Sequence, residues 1–479
     1  MKVTLLGHAT VIVEAGGTTL LMDPVFFDPF EEGAVVSCPR RTVCLEHLPS
    51  IDIVVVSHRH PDHFDLRSLD RLPRSCDVIC PADPLIVHGL RGLGFEHIHP
   101  VYPMGEIVGE GFELYATRSE VATVREFGMV VADASGVFWN QVVSKVSTAT
   151  IDAIQRRYGR IDLLFARYAC QNFEFFESRA VSFPADEHRD NLEAVLRIAP
   201  RMVAPAAAGF RFCGDHAWLN AFLFPISRAQ FLADLAQLAP DIVGCVSDPG
   251  DVFDIEGGEV MRRCAASPVA LLEQDDTALL RWDPTSAIPE LIDPGFDGRP
   301  IEELCKVIEQ ILTHDLATFV EEGLRAGDPV LASYREHAVR YAVGVVFSDG
   351  STRWYGLAFS GDGVHALRGD PACASADAVH RIAASALVGW LERKKSFFFV
   401  RAWSRRHTRI HRSRRDGAAV TVEPVAIPDL LMHYVLHGAP DSAYAARRQV
   451  DVELAALGAA STRHDGTTDI TSVDVVSAK

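Results

Sequence analysis

Residues 51–65, IDIVVVSHRHPDHFD, join an apolar run to a group of metal-binding side chains. The first half is almost continuously β-branched, which predicts a strand buried on both faces. The second half places His58, His60, Asp62 and His63 within six residues at the mouth of that strand. Because side chains alternate in extended chain, the first two histidines point one way, and the adjacent Asp62 and His63 can face a second position.

Four donor side chains on a backbone held by a sheet predict a metal site with room for two ions. Imidazole and carboxylate suit iron, zinc or manganese, whereas soft copper chemistry would call for sulfur. The alternative is a solvated polar loop in which histidines occur by chance. The position of all four donors at the end of a buried strand favours the metal site.

The composition describes a globular protein with no sign of a nucleic-acid or membrane partner. At 479 residues the chain exceeds one hydrophobic core, which predicts two or three domains. A formal net charge of −18 argues against phosphate binding along nucleic acid, and no window approaches the ~20 apolar residues of a membrane span. The N-terminus predicts a first strand and not a signal peptide. Ten scattered cysteines without a disulfide framework predict a cytoplasmic protein.

The pattern along the chain predicts an α/β domain followed by a smaller α+β domain. Three short strands surround a Gly16-Gly17 turn, and amphipathic helices are predicted over residues 186–200 and 227–240. A change in character near residue 265 predicts a boundary. Residues 1–265 are predicted to form a metal-binding catalytic domain, and residues 461–479 a flexible tail. Between them, residues 266–460 are predicted to form an α+β domain, with a hairpin over residues 341–363 and a helix over residues 376–395.

The residues SHRHPDH after a buried strand resemble the His-x-His-x-Asp-His signature of the metallo-β-lactamase fold, an αββα sandwich with metals at one sheet edge. The opening LLGHATVIVEAGGTTLLMDPVF is similar to that of one branch of the family. The branch contains ascorbate-phosphate lactonases, N-acyl-phosphatidylethanolamine phospholipases and relatives of CMP-sialic acid hydroxylase. The resemblance covers residues 1–265 and implies that His8 and Asp23 lie beside the metals, in a catalytic or supporting role.

The resemblance also implies a histidine, a bridging aspartate and a final histidine as further ligands. His216, in PAAAGFRFCGDHAWLN, is the candidate for the final histidine, with a helix-terminal hydrogen bond as the alternative. Where the earlier histidine is expected, Glu120 offers a carboxylate, as in the di-iron β-hydroxylase of the chloramphenicol pathway, or is only a loop charge. Residues 140–143, NQVV, lack the bridging aspartate. Either one ion binds, or Glu187 substitutes with His188 as a further donor, unless both only cap a helix.

The C-terminal segment resembles a sterol-carrier-like domain, whose apolar groove binds acyl groups. Its clustered aromatic residues occur more often in a core than in a ligand tunnel. Residues 401–415, RAWSRRHTRIHRSRR, concentrate arginine in an acidic chain. This run is either solvated surface or a docking face for an acidic carrier protein, a reductase or a phosphorylated substrate.

Three functions are consistent with these features. The preferred one is a non-haem iron oxygenase or oxidase, with two iron ions, that acts on a small metabolite and takes electrons from an external donor. This preference follows from the missing histidine and bridge, since iron tolerates mixed histidine and carboxylate ligands. The second is a zinc- or manganese-dependent hydrolase of phosphodiester or lactone bonds. The third is a metal-poor relative that binds a ligand.

Overall fold

The computed structural model describes residues 1–121, 124–172, 182–272, 280–367, 369–416, 419–425, 427–438 and 442–458. The predicted tail, residues 461–479, lies outside the described residues, as do the side chains of Arg412, Arg414 and Arg415. Two compact units are present. The described residues within 1–172, 183–283 and 450–458 form the first unit, and those within 284–449 belong to the second.

The first unit is built from two sheets and the helices that cover them. Its strands are β1 (Lys2–Gly7), β2 (Thr10–Ala15), β3 (Thr18–Met22), β4 (Val35–Ser37), β5 (Arg41–Val43), β6 (Ile53–Val55), β7 (Asp77–Pro81), β8 (His97–Val101), β9 (Glu106–Gly109), β10 (Phe112–Arg118), β11 (Phe127–Asp133), β12 (Gly136–Asn140), β13 (Leu163–Arg167), β14 (Met202–Ala206), β15 (Phe210–Phe212), β16 (Val243–Gly244), β17 (Asp251–Glu256), β18 (Glu259–Cys264) and β19 (Val269–Leu271). Its helices are α1 (Leu66–Leu69), α2 (Pro84–Gly92), α3 (Thr148–Tyr158), α4 (Ala185–Ile198), α5 (Asn220–Leu223) and α6 (Arg228–Leu238).

Four layers make this unit an αββα sandwich, as the sequence predicts. One sheet has eight strands in the order β18-β17-β1-β2-β3-β6-β7-β8, and the other has seven in the order β16-β14-β13-β12-β11-β10-β9. Apolar side chains from the facing sides of both sheets form one core, among them Val13, Met22, Met129 and Phe165. The outer faces are covered by α1 and α2 on one side and by α3, α4 and α6 on the other.

Local signals explain the helix boundaries in this unit. Ser227 caps α6, since its hydroxyl accepts a hydrogen bond from the backbone N–H of Gln230 at 3.0 Å, as predicted. Asp83 caps α2 in the same way, and Pro84 occupies the first turn, where its missing N–H costs nothing. Among the described residues, none of the helices combines the length and apolar character needed to cross a bilayer.

The second unit is a mixed α+β structure around a five-stranded sheet in the order β22-β21-β20-β23-β24. Its strands are β20 (Arg340–Val346), β21 (Thr352–Ser360), β22 (Gly363–Ala366), β23 (Ala378–Ala383), β24 (Ser404–Thr408), β25 (His411–Asp416) and β26 (Ala419–Pro424). Its helices are α7 (Ile301–Gln310), α8 (Leu316–Ala326), α9 (Pro329–Glu336), α10 (Asp370–Ala374), α11 (Ala384–Leu391), α12 (Phe397–Val400), α13 (Leu430–His437) and α14 (Ser442–Ala456), of which the last extends past residue 449 into the first unit.

One predicted element of this unit is wrong. The helix predicted over residues 376–395 begins only at Ala384, because Ala378–Ala383 form the strand β23. That strand pairs in parallel with β20 and antiparallel with β24, and five of its six residues are buried. Pairing in the middle of a sheet outweighs the weak helical preference of this segment.

A buried charged group joins β23, β24 and α13 in the second unit. The carboxylate of Asp429 lies 3.1 Å from His380 Nδ1 and 3.2 Å from Arg406 Nε. Asp429 also caps α13 by accepting a hydrogen bond from the N–H of Met432 at 2.8 Å. All three side chains are at least nine-tenths buried, so the group links separate elements inside the unit.

Candidate metal centre

Two neighbouring strands bring Asp23 and the histidine loop together. Strands β3 and β6 are parallel, with Met22 opposite Val55, so their carboxyl ends meet at one sheet edge. Asp23 follows β3 directly, and its N–H donates to the carbonyl of Val55 at 2.8 Å. Its φ of 43° lies in the left-handed region, which aspartate tolerates better than most residues. This backbone turns the carboxylate towards the residues that follow β6.

The Asp23 carboxylate fixes the ring of His63. It accepts hydrogen bonds from the N–H and hydroxyl of Ser57 at 2.7 and 2.6 Å, and its Oδ2 lies 2.9 Å from His63 Nδ1. With Nδ1 engaged, Nε2 is the nitrogen left to bind a metal. That Nε2 is buried, and none of the described residues forms a hydrogen bond with it. A carboxylate behind a histidine is the usual support for a metal ligand, because it sets the tautomer and ring orientation.

Two groups of donor atoms meet at this edge, and both use Asp62. In the first group, Nε2 of His58 lies 3.0 Å from Nδ1 of His60. In the second, Oδ2 of Asp62 lies 3.2 Å from His8 Nε2 and 3.4 Å from His63 Nε2. Two atoms bound to one ion at ~2.1 Å are about 3.0–3.4 Å apart, so these separations suit shared ions. The residues present therefore fit one metal ion, or two with Asp62 between them.

Burial and charge set the protonation of the donors. Burial, and then the charges of His63 and His60, hold the pKa of His58 well below its ordinary value. Burial also lowers the pKa of His63, but the carboxylates of Asp62 and Asp23 outweigh it and raise that pKa to about 10. His58 is thus ready to bind a cation at neutral pH, whereas His63 must first lose a proton. His60 is exposed, which leaves the first group open to solvent.

A further carboxylate, Glu126, lies at the start of β11 on the same side of the sandwich. The N–H of the next residue, Phe127, donates to the carbonyl of Ser57 at 3.3 Å, beside the histidine loop. Glu126 is 6% exposed and accepts a hydrogen bond from the hydroxyl of Ser119. Burial raises the pKa of Glu126, while Ser119 and the charge of His63 oppose that shift. Glu126 is therefore a buried carboxylate within electrostatic reach of His63.

Residues 2–137 match the family model described as the Beta-lactamase superfamily domain. The matched residues lie in the αββα sandwich of the first unit, which is the architecture of the metallo-β-lactamase fold. The curated relatives that the chain matches are covered only in part. A 73-residue stretch is 40% identical to N-acyl-phosphatidylethanolamine-hydrolyzing phospholipase D 1 of Caenorhabditis elegans, and it spans 14% of this chain and 20% of that protein.

Two solved structures resemble the chain at low identity. The diiron β-hydroxylase CmlA of Streptomyces venezuelae is 16% identical, with a TM-score of 0.38 over 55% of this chain and 54% of CmlA. The isothiocyanate hydrolase from Delia radicum gut bacteria is 15% identical, with a TM-score of 0.37 over 54% of this chain and all of the hydrolase. With TM-scores this low, the two likenesses do not decide between hydroxylation and hydrolysis.

The first unit places the other predicted ligands in different surroundings. Glu120 is exposed, and its N–H donates to the carbonyl of Lys145 at 2.7 Å. Glu187 and His188 both lie on α4. The Glu187 carboxylate pairs with Arg167, and Nε2 of His188 lies 2.8 Å from a carboxylate oxygen of Asp234. His216 is buried in a short 3-10 helix, Gly214–Leu219. In the part of the chain that the structure describes, neither donor group includes these four candidates.

Where the resemblance implies a bridging aspartate, the chain has Asn140 and Gln141, whose side-chain oxygens accept hydrogen bonds from backbone N–H groups. Asn140 and Gln141 are both 2% exposed. Oδ1 of Asn140 accepts from the N–H of Val142 at 3.0 Å, and Oε1 of Gln141 accepts from the N–H of Arg167 at 3.1 Å. These contacts stabilise the end of β12, so neither side chain supplies a charge to the centre.

Sequence reasoning missed two buried carboxylates, Glu126 and Glu31. For Glu126 a signal existed, since it immediately precedes the apolar strand Phe127–Asp133, whose start adjoins Ser57. Glu31 stands in DPFEEG, a polar stretch that predicts an exposed turn. In the structure it is 6% exposed, so only the tertiary fold reveals it.

Proposed function

We propose that this protein is a non-haem iron oxygenase or oxidase with two iron ions that acts on a small metabolite. The observation that carries the proposal is a donor set that mixes imidazole and carboxylate, with Asp62 shared by two pairs of histidines. The buried carboxylate of Glu126 lies outside both donor groups but within electrostatic reach of His63. Iron that activates oxygen binds to such mixed sets with open positions, whereas structural zinc favours more nitrogen or sulfur.

The residues of the chain have separable roles in this proposal. His58 and His60 would hold the more exposed ion, where oxygen and substrate can approach. Asp62 would lie between both ions, and His63 and His8 would hold the inner one. Bound iron would supply the redox chemistry, and electrons would come from an external cytoplasmic donor. Within the arginine-rich residues 401–415, Arg406 is buried against Asp429, whereas Arg409 is exposed and is proposed to help dock that donor or an acidic carrier protein, since opposite charges steer such encounters.

Iron binding and oxygen uptake test this function directly. Metal-free full-length protein is reconstituted anaerobically with Fe(II), and iron content and oxygen consumption are measured with a panel of small metabolites. A His58→Ala, His60→Ala double variant should lose the more exposed ion. A protein that neither retains iron nor consumes oxygen with any substrate would refute the proposal.

The pair Glu126→Gln and Glu120→Gln separates the buried from the exposed carboxylate. Glu126→Gln removes a buried carboxylate within electrostatic reach of His63, so iron affinity should fall by about tenfold and oxygen uptake should decrease. Glu120→Gln changes an exposed side chain and should leave both unchanged. Equal behaviour of the two variants in the iron titration would contradict the role given to Glu126.

A zinc- or manganese-dependent hydrolase is the second candidate. The stretch that is 40% identical to a phospholipase D of the N-acyl-phosphatidylethanolamine-hydrolyzing type favours it. In that case zinc or manganese would lower the pKa of bound water and polarise the scissile bond. Phosphodiester or lactone turnover by the zinc-loaded protein, without oxygen uptake by the iron-loaded protein, would establish this function instead.

A further inference from the structure

A small cavity adjoins His8 in the first unit, beside the metal centre. Its wall combines this histidine with Tyr168, Arg228 and Ser247, and the small residues 206–209 line it as well. His8 thus belongs both to the wall of the cavity and to one of the two donor groups of the metal centre. A ligand in this cavity would therefore lie next to the metal centre.

Small residues at the carboxyl end of β14 leave the space for this cavity. Residues 206–209 are three alanines and a glycine, and Ala207 has a φ of 60°, in the left-handed region. Gly209 packs directly against His8, since a Cβ atom at Gly209 would lie 2.9 Å from the Cα and N atoms of His8. Left-handed conformations at alanine persist only where the surrounding structure imposes them, and they are frequent at functional sites.

Two residues of the wall each have a buried polar atom that the described residues leave unpaired. These atoms are Oγ of Ser247 and Nδ1 of His8, and none of the described residues forms a hydrogen bond with either. Ser247 is 1% exposed and His8 is 4% exposed. Because a buried polar group without a hydrogen bond is unfavourable, a cavity with two such groups in its wall fits a polar ligand.

The polar groups of the wall are mainly hydrogen-bond donors. When Nε2 of a neutral histidine binds a cation, the ring proton lies on Nδ1, so His8 would donate through Nδ1. Burial raises the pKa of Tyr168 to about 12, although the charge of Arg228 opposes this shift. The phenol therefore keeps its proton at neutral pH and can donate as well. A wall of donors fits a ligand that offers oxygen acceptors.

Arg228 adds a positive charge to this wall. Its guanidinium donates to the carbonyl of Ser247, and Nη2 also donates to a carboxylate oxygen of Asp248 at 2.9 Å. These contacts hold the side chain in place but use only two of the five N–H groups of an arginine. The Asp248 side chain is 39% exposed, so water screens its charge. Donors beside a cation are the surroundings in which a carboxylate binds well.

We propose that this cavity is a subsite for a carboxylate group of the substrate, recognised by Ser247, Tyr168 and Arg228. The inference rests on the proposed function and names the substrate class as a small carboxylic acid. A cavity of this size admits a carboxylate group rather than a whole metabolite. The carboxylate would therefore anchor the substrate next to His8.

Acetate is the probe, and acetamide is its uncharged counterpart of similar shape. Calorimetric titration at constant ionic strength measures the binding of each to the full-length protein, both metal-free and loaded with Zn(II). The wild type should bind one acetate and bind acetamide about tenfold more weakly, because hydrogen bonds to charged groups are the stronger ones. Ser247→Ala and Arg228→Gln should each weaken acetate binding by about tenfold or more.

Arg197→Gln is the matched control for the loss of an arginine. Arg197 pairs with Asp152 and is not part of the cavity wall, so this variant should bind acetate as the wild type does. Weaker binding of acetate by this control, to the same extent as by Arg228→Gln, would show a general effect of net charge and would overturn the subsite.

The variants separate a subsite in the cavity from acetate bound elsewhere. Acetate held by zinc or by the surface does not depend on both Ser247 and Arg228, so unchanged binding in either variant would overturn the subsite. Absence of acetate binding to the wild type in both forms would overturn it too. Should Arg228→Gln fail to fold, Arg228→Lys keeps the charge but not the planar fork and must show a smaller loss, and unchanged binding refutes the subsite.

The same titrations are independent of the oxygenase function. Loss of acetate binding in Ser247→Ala and Arg228→Gln would support the subsite even if the iron-loaded protein consumes no oxygen. Oxygen uptake by a protein that binds no acetate would support the oxygenase and refute only the subsite.

Discussion

The substitution Asp23→Asn tests how the metal centre is supported. Asp23 belongs to neither of the two donor groups found among the described residues, yet its Oδ2 atom is shared by the hydroxyl of Ser57 and Nδ1 of His63. An asparagine can keep its oxygen on the N–H of Ser57, but then an NH2 group replaces Oδ2. That group cannot accept from Nδ1, so His63 is driven to the tautomer with a proton on Nε2. The nitrogen that should face the metal then has no lone pair.

The expected size of the effect follows from these contacts. Loss of a supporting partner of a metal ligand weakens binding about 10- to 100-fold, or ~1.4–2.8 kcal/mol. Because both hydrogen bonds to Oδ2 are lost and the tautomer changes, we expect a value near the upper limit for the ion bound by His63. The metal-free protein should also lose about 1.5–3 kcal/mol of stability, the usual contribution of a hydrogen bond to a charged group.

Competition between the protein and a chromophoric chelator for Zn(II) measures the affinity, and urea denaturation measures the stability. Asp52→Asn is a suitable control, because Asp52 accepts a hydrogen bond from the N–H of Thr19 at 2.8 Å at the opposite ends of the same two strands. That variant should keep the wild-type metal affinity. If Asp23→Asn also keeps it, Asp23 does not orient His63 and the proposed support is wrong.

Two further predictions concern protonation and the second unit. Metal binding at pH 8 should release about one proton from His63. Burial lowers the pKa of His63, but the neighbouring carboxylates of Asp62 and Asp23 outweigh this effect and raise that pKa to about 10, so the ring is protonated before the metal binds. The same shift means that protonated His63 stabilises the metal-free protein fully below pH ~6.5, and that this stability is lost as the pH rises through 10. Calorimetry in two buffers of different ionisation enthalpy counts the protons, and a count of zero would contradict the assignment. In the second unit, Asp429→Asn should lower the stability by about 3–5 kcal/mol, because it removes the carboxylate that compensates the buried charge of Arg406 and contacts His380. Scanning calorimetry of the full chain would reveal an unchanged transition if this group contributes nothing.

The local sequence pattern predicted the secondary structure correctly where the residues of a single segment decide it. The alternation around Gly16-Gly17 predicted β2 and β3, and Ser227 predicted the start of α6. The pattern failed for residues 376–395, where an apolar face at helical spacing contains the strand β23. An apolar run fits either structure, and only the strands on both sides of it decide which one forms.

The candidate site likewise contains residues that the local sequence predicts and residues that it does not predict. The loop from His58 to His63 was evident because its four donors lie within six residues and follow a buried strand. Glu126 and Glu31 were not evident, since their approach to His63 requires contacts between residues far apart in the chain. Glu120 matched the expected position by spacing, but the structure leaves it exposed.

By itself, the sequence determined the strands of an α/β domain and a histidine and aspartate loop at the end of β6, because periodicity and a six-residue motif are local properties; the αββα arrangement was implied by the family resemblance of that motif. Only the tertiary structure decided which carboxylates surround that centre. Whether a glutamate is buried beside a cation site or exposed to water depends on how β10, β11 and the loop before β4 pack around β3 and β6. A carboxylate separated from the motif by many residues acquires its environment, and therefore its chemistry, only when the chain has folded.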